Sequence, residues 1–369
     1  MNRLRSPRLP IATLLGLAAI VVSFLIDPDT LLPTYLATVV TISAIPVGCM
    51  AVLMVTYVVR GSWTEALHIP LTAAALTTPI AAVLFIPVLI ALPWIYPWAH
   101  ESGAEPGPLK AAWLTPAFFI LRTALYFALW TVLALWLRGA WADPRRMVRA
   151  ASAGLILYAL SASFAGVDWL ESLTPEFHSS IYGLLFLTFQ LLAGLSFAFT
   201  IVLSTPGAPT FRYGAILLSL LLLWAYNHAM QYIIIWSGNI PEEAAWYLAR
   251  EAGAWGMALW TLIALQFILP FFAMLSSKLR NGRRSLLRIA ALTVGLRFLE
   301  AYILALPQRQ IAGIALLFAV PGTILFAGLL WWAAFAFSLD RVRRSAHDTS
   351  PLPDGFDASG TPVASAGSS

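Results

Sequence analysis

Residues 33–59 read PTYLATVVTISAIPVGCMAVLMVTYVV and contain no charged side chain. A helix needs roughly 20 apolar residues to cross the hydrocarbon core of a bilayer, and this run is longer than that. Pro46 within it is compatible with a membrane helix, because neighbouring helices can satisfy the freed carbonyl group. The run therefore predicts a transmembrane helix.

The remainder of the chain repeats this pattern. Of 369 residues, 60% are hydrophobic and 11% are charged, whereas soluble domains carry about 25% charged residues. This composition excludes an ordinary soluble protein. We predict an all-α polytopic membrane protein of about ten transmembrane helices, with one membrane domain over residues 1–344. The expected spans are 11–26, 33–59, 67–92, 113–137, 147–167, 179–203, 213–236, 253–276, 286–306 and 311–338.

Basic residues alternate between the loops and predict the orientation. One side, which includes both terminal segments, holds 17 of the 22 Lys and Arg residues, and the opposite loops hold three. The positive-inside rule therefore predicts that both termini are cytoplasmic. We call the opposite side the predicted outer side. Its acidic residues are Asp27, Asp29, Glu101, Glu105, Asp168, Glu171, Glu176, Glu242, Glu243 and Glu251.

The two ends of the chain carry further expectations. Arg3, Arg5 and Arg8 precede the first span and no small-residue cleavage site follows it, so we expect an uncleaved helix. Residues 345–369 are rich in Ser, Pro, Gly, Asp and Ala and predict a disordered cytoplasmic tail. The net charge of +5 comes from scattered loop arginines, which indicates no nucleic-acid partner.

Cysteine and histidine content limits the cofactors. Cys49 is the single cysteine, so this chain alone supports neither a disulfide nor a four-cysteine iron–sulfur cluster. His228 is the one histidine deep in a span, which disfavours a haem held by two histidines of this chain. We predict no catalytic residue and no metal site, and we expect no cofactor bound by this chain alone apart from a quinone.

Four ionisable residues lie deep within the spans: Arg122, His228, Arg297 and Glu300. Such residues cost about 2.5–3.5 kcal/mol at the bilayer centre and are usually paired or functional. At 1.5 Å per residue, all four are expected roughly 9–14 Å below the predicted outer side. If their helices are neighbours, the four define one polar pocket that opens outward.

Structural interpretations of these residues remain open. Arg297 and Glu300 are spaced i,i+3 and can neutralise each other. Arg122 has no carboxylate within a helical turn, so it needs a carboxylate of another helix or a backbone carbonyl, as in an architectural ion pair or hydrogen-bond clamp. His228 can be a satisfied bundle histidine, or it can hydrogen-bond a quinone carbonyl or carry a proton.

Two loops on the predicted outer side combine aromatic and polar residues, at 168–175 (DWLESLTP) and 236–250 (WSGNIPEEAAWYLAR). Pro241 and the two glutamates after it favour a helix N-terminus. The aromatic side chains are typical of membrane-interface anchors, or they form a surface on which an extramembrane partner docks. The docking candidates are Trp169, Glu171, Trp236, Asn239, Glu243, Trp246 and Tyr247.

Several segments carry a resemblance to a known family. They are 116–130 (PAFFILRTALYFALW), 168–183, 224–250 with its NIPEE sequence, and 269–281 with LPFF. Over about 113–282 the sequence resembles the ActF-like (NrfD-like) integral membrane subunit of alternative complex III, the quinol:cytochrome c oxidoreductase, which is named as quinone-binding subunit 2.

This resemblance implies two four-helix bundles, made of spans 2–5 and 6–9, with one further helix beside each. It also implies a multi-pass protein of a bacterial inner (cytoplasmic) membrane, surrounded by membrane lipid. The implied partners are a paralogous NrfD-like membrane subunit, periplasmic iron–sulfur and cytochrome c subunits that hold iron–sulfur clusters and haem c, and a terminal oxidase.

Three functions follow from these observations. The first is a non-catalytic subunit of a quinol-oxidising respiratory complex, acting as a scaffold with a quinone-binding or proton-conducting role. The second is a secondary transporter with an outward-facing polar site, and the third is an assembly factor. The candidate quinone or proton-path residues are Arg122, Asp168, His228, Glu242, Arg297 and Glu300.

Overall fold

A computed structural model describes residues 8–59, 61, 63–99, 112–139, 144–210, 212–309 and 311–348. No strand is present among these residues, and α-helices follow one another along the chain. The helices are α1 Arg8–Ile26, α2 Pro28–Val58, α3 Glu65–Ala75, α4 Thr78–Ile90, α5 Leu92–Ile95, α6 Pro116–Gly139, α7 Pro144–Trp169, α8 Tyr182–Leu203, α9 Tyr213–Gly238, α10 Pro241–Glu251, α11 Gly253–Ile263, α12 Leu269–Leu275, α13 Ser277–Arg280, α14 Arg283–Ala305 and α15 Gly313–Asp348.

Each predicted span coincides with a helix or with consecutive helices. Seven described helical segments are long and apolar enough to cross a membrane, and the α3–α4 pair, bent by 40°, makes an eighth if it is one span. The apolar part of α1 is shorter, at Pro10–Ile26, and α14 carries several charged residues. The prediction of an all-α polytopic membrane protein is confirmed. Residues 349–369 of the predicted tail, and Arg3, Arg5, Glu101 and Glu105, lie outside the described residues.

Two central helices, α2 and α8, organise the packing. Gly48 of α2 and Gly194 of α8 bring the two backbones together, since a Cβ atom built on Gly48 would lie 1.8 Å from the carbonyl oxygen of Gln190. Small residues permit this close approach of membrane helices. The Cys49 thiol, buried at the same crossing, donates to the carbonyl of Gly194 at 3.3 Å.

The remaining helices surround this crossing in two groups. Helices α3, α4 and α7 pack on α2, and α6 packs on α4 and α7. Helices α9 and α14 pack on α8, and α11 packs on α14. Helices α1 and α15 pack against each other. The loops of the predicted outer side are joined by hydrogen bonds, for example from the Tyr96 hydroxyl to the carbonyl of Trp169 at 3.0 Å.

The exposed surface of the second group of helices is apolar. Tyr226, Met257, Trp260 and Phe272, on α9, α11 and α12, are all more than half exposed. A bilayer would cover these side chains, since lipid tails accept apolar surface that water would not. Helices α9 and α11 therefore form the lipid-facing wall of this group.

Candidate functional site

The first polar cluster joins α6 to the end of α7. Arg122 donates from Nε to Oδ2 of Asp168 at 2.9 Å and from Nη2 to Oδ1 at 2.8 Å. Asp168 also accepts from the Tyr126 hydroxyl at 2.8 Å and from the Trp113 indole at 2.9 Å. Asp168 is completely buried, and a buried charge is tolerated when it is paired and its remaining lone pairs are satisfied.

Aromatic rings complete the surroundings of Arg122. Its guanidinium carbon lies 4.1 Å from the Trp113 ring centre and 4.3 Å from that of Phe118, which are favourable cation–π distances. Its Nη1 donates to the carbonyl of Trp113 at 2.8 Å. The prediction that Arg122 needs a partner from another helix or a backbone carbonyl is therefore confirmed, since it has both. We call this cluster the α6–α7 clamp.

The second polar cluster joins α9 to α14. Oε1 of Glu300 accepts a hydrogen bond from the Trp224 indole at 3.0 Å and lies 3.0 Å from Nε2 of His228. Arg297 forms an ion pair with the other carboxylate oxygen, so the predicted i,i+3 pairing is confirmed. Glu300 thus has two partners on a neighbouring helix as well as the arginine one turn away.

Arg297 is less completely satisfied than Arg122. Its side chain is fully buried, and its guanidinium carbon lies 5.5 Å from the Phe189 ring centre and 5.6 Å from that of Trp224. Apart from the ion pair with Glu300, its guanidinium nitrogens have no hydrogen-bond acceptor among the described residues. The carboxylate of Glu300 is therefore the main compensation for this buried charge.

A cavity of about 700 Å³ borders this second cluster, between α9, α10, α11 and α14. His228 and Glu300 are among its lining residues, and about 30% of the His228 side chain is exposed. The other walls are mostly apolar and aromatic. They comprise Leu222, Trp224, Ala225, Tyr226, Ala229, Tyr232, Trp246, Tyr247, Arg250, Glu251, Leu259, Trp260, Leu262, Ile263, Phe267, Ile303 and Leu304.

The short helix α10 covers one end of the cavity. Its Arg250 is buried, with the guanidinium carbon 3.4 Å from the Trp246 ring centre. Nη1 donates to the carbonyl of Trp246 at 2.8 Å, and Nη2 donates to the carbonyl of Leu304 at 2.7 Å. Burial lowers the pKa of Arg250 to about 9, so the guanidinium stays charged at neutral pH.

The prediction of one polar pocket that holds all of these residues and opens outward is wrong. Arg122 and Asp168 belong to the α6–α7 clamp, and His228, Arg297 and Glu300 belong to the α9–α14 cluster; the contacts among the described residues join no member of one to the other. Glu242 belongs to neither cluster, because it is exposed at the start of α10. The depths of these residues in the membrane, as predicted from the sequence, do not say which helices are neighbours.

Several predicted docking residues are also corrected. Trp169 is fully buried against Phe85 and Phe127, and Trp246 stacks on Phe177 at 4.5 Å. Glu171 is buried and accepts from the backbone amide of Ser179 at 2.8 Å. The contacts of these three side chains lie within the chain, so they do not form a surface for a partner. Trp236 and Asn239 are exposed, and Glu243 and Tyr247 are partly exposed.

Trp113, Trp224 and Arg250 contribute to the two clusters or to the cavity but were not among the candidate quinone or proton-path residues. Trp113 was missed because an aromatic residue near a helix end is normally an interface anchor, and Trp224 because an aromatic residue in the middle of an apolar span looks like ordinary packing. Arg250 was counted as a loop cation, although its position four residues after Trp246 puts the two on one face of a helix.

No group of three or more metal-ligating side chains occurs in the part of the chain that the structure describes. No family model matches the chain, and no curated protein matches it.

Proposed function

We propose that this chain is an integral membrane subunit of a quinol-oxidising respiratory complex similar to alternative complex III, in a bacterial inner membrane. We further propose that it binds quinone in the cavity between α9, α10, α11 and α14. The multi-pass fold and the resemblance over residues 113–282 support the subunit role. The observation that carries the quinone site is the contact of the His228–Glu300 pair with an apolar, aromatic cavity.

The lining fits the chemistry of a quinone. Small-molecule sites are mostly apolar, with a few placed polar groups that orient the ligand. Trp224, Tyr232 and Trp260 provide flat surfaces for a ring and its tail, and His228 provides a nitrogen that can hydrogen-bond a ring oxygen.

His228 and Glu300 have distinct roles in this proposal. Oxidation of a bound quinol passes its electrons to the cofactors of the proposed partners and needs a base at each ring hydroxyl, and the His228–Glu300 pair is the base at one of the two. His228, the more exposed of the pair, holds a ring hydroxyl and receives its proton. Glu300, paired with Arg297 and bonded to the Trp224 indole, orients the imidazole and accepts the proton in turn.

The proposed partners are the paralogous NrfD-like membrane subunit, periplasmic iron–sulfur and cytochrome c subunits, and a terminal oxidase. Exposed Trp236 and Asn239, on the predicted outer side, are proposed to contact the extramembrane partners. The iron–sulfur clusters and haem c of those partners would receive the electrons.

Purification of the chain with its partners tests the subunit role. The tagged chain is extracted from its native membranes in mild detergent, its partners are identified by mass spectrometry, and a reduced-minus-oxidised haem spectrum is recorded. We expect haem c and iron–sulfur subunits to co-purify. A lone, colourless protein would contradict the subunit role.

The purified protein is then placed in lipid nanodiscs and titrated with a short-chain quinone, with tryptophan fluorescence as the readout. We expect Glu300→Gln to weaken binding about fivefold or more, because the imidazole of His228 loses the carboxylate that orients it and one ligand hydrogen bond contributes about 1 kcal/mol. His228→Gln is the second test, since it leaves the Arg297–Glu300 pair intact. Glu242→Gln, on the exposed start of α10, is the control, and unchanged binding in both cavity variants would contradict the site.

A second candidate function, transport of protons or a small solute, is favoured by unpaired polar side chains buried within the spans. The side chains of Ser43, Gln190, Ser196 and Gln266 are buried and have no hydrogen-bond partner among the described residues. Buried polar groups of this kind commonly bind internal water. A chain of such water molecules would conduct protons. Proton uptake by proteoliposomes without quinone would favour this candidate.

A further inference from the structure

Five basic residues lie within eleven positions of the sequence, where α13 meets α14. They are Lys278, Arg280, Arg283, Arg284 and Arg288, and we call them the basic patch. The sequence contains no Asp or Glu between residues 252 and 299. A counter-charge for the patch therefore has to come from a distant part of the chain or from a ligand.

One of the five cations is used within the chain. Arg283 donates from Nε to the carbonyl of Leu203 at 2.8 Å and from Nη2 to the carbonyl of Ser204 at 3.3 Å. These carbonyls lie at the end of α8, where the last carbonyl groups of a helix have no partner in the helix itself and a cation is favourable. The contacts hold the start of α14, and the patch with it, against α8.

Lys278, Arg284 and Arg288 are exposed and lack a comparable partner among the described residues. No carboxylate in the described part of the chain lies within ion-pair distance of any of them. Arg284 and Arg288 are also four residues apart on α14, where like charges repel each other. An anion bound beside them would reduce this repulsion and supply the counter-charge.

An apolar surface borders the patch. Phe272, Leu275 and Leu279, on α12 and α13, are exposed and continue the lipid-facing wall. Leu279 stands between Lys278 and Arg280 in the sequence, so the apolar and the basic surfaces meet there. A ligand that matches both surfaces has an anionic group and long apolar chains, which is the composition of an anionic phospholipid.

We propose that the basic patch binds the phosphate headgroup of an anionic phospholipid through Lys278, Arg284 and Arg288. The acyl chains lie against Phe272 and Leu275. The patch belongs to the basic side of the molecule, which the positive-inside rule predicts to be cytoplasmic, and clusters of basic residues beside a membrane helix attract lipids of this charge. None of the five cations lines the cavity between α9 and α11, so the lipid site does not depend on the quinone site.

Two lipids and three proteins test this proposal. The lipids are phosphatidylglycerol and phosphatidylcholine with identical acyl chains, which differ in net charge. The full chain is kept in an uncharged detergent, and native mass spectrometry counts the bound lipid as each one is added. The proteins are the wild type, Arg284→Gln/Arg288→Gln and the control Arg341→Gln/Arg343→Gln. The control also removes two exposed arginines, at the end of α15 on the same predicted side of the membrane.

We expect the wild type and the control to bind phosphatidylglycerol about fivefold or more tightly than phosphatidylcholine, since one basic residue near the headgroups contributes about a factor of five. In Arg284→Gln/Arg288→Gln, we expect this ratio to fall towards one. The ratio within one protein does not depend on the fraction of that protein that is folded. A preserved ratio in this variant, an equal fall in the control, or no preference in the wild type would overturn the proposal.

Discussion

At the scale of single residues, the two polar clusters compensate buried charge differently. Asp168 accepts four hydrogen bonds, two from Arg122, one from Tyr126 and one from Trp113. Glu300, in contrast, shares its carboxylate between an arginine and a partly exposed histidine at a cavity. The first arrangement suits a permanent structural link, and the second leaves a titratable group accessible to a ligand.

We expect Asp168→Asn to destabilise the protein strongly. Removing one partner of a buried pair leaves an uncompensated charge on Arg122 and typically costs about 3–5 kcal/mol. The melting temperature in detergent, followed by fluorescence, measures this effect. The double variant Arg122→Met/Asp168→Asn should recover part of the loss because no lone charge remains. An unchanged melting temperature in Asp168→Asn would contradict the structural role.

At the scale of helices, the α2–α8 crossing depends on the absence of side chains at two positions. We expect Gly48→Ala to destabilise by about 1–3 kcal/mol, because the new methyl group would overlap the backbone of Gln190. Gly295→Ala on α14 is the control, since a Cβ atom there meets no heavy atom of the described residues within 4 Å. Equal melting temperatures for the two variants would argue against a close crossing.

At the scale of the whole molecule, the charge pattern predicts which side each loop faces. In a Cys49→Ala background, we expect Glu242→Cys to react with a membrane-impermeant maleimide on intact spheroplasts. Arg343→Cys, at the other end of the molecule, should react only after permeabilisation. Both positions are exposed. Labelling in the reverse order would invert the topology.

The sequence predicted the helices well because hydropathy and length determine whether a segment spans a bilayer. The i,i+3 pairing of Arg297 and Glu300 was also predictable, since it lies within one helix. The partner of Arg122 was not identified, because Asp168 is 46 positions away and only helix packing brings the two together. Trp169 and Trp246 were placed on the surface for the same reason, as interface and core aromatics look alike in a sequence.

The cavity opens between α9 and α11, and two of its lining residues, Tyr226 and Trp260, are exposed on the lipid-facing wall. A ligand that enters there arrives from the hydrocarbon phase, where an apolar molecule is concentrated, so its occupancy is best expressed against its amount in the membrane. The relevant variable is its mole fraction in the membrane. Adding ligand-free lipid at constant amounts of protein and ligand should therefore empty the site. Affinities measured in detergent and in bilayers become comparable only when both are expressed as mole fractions of ligand.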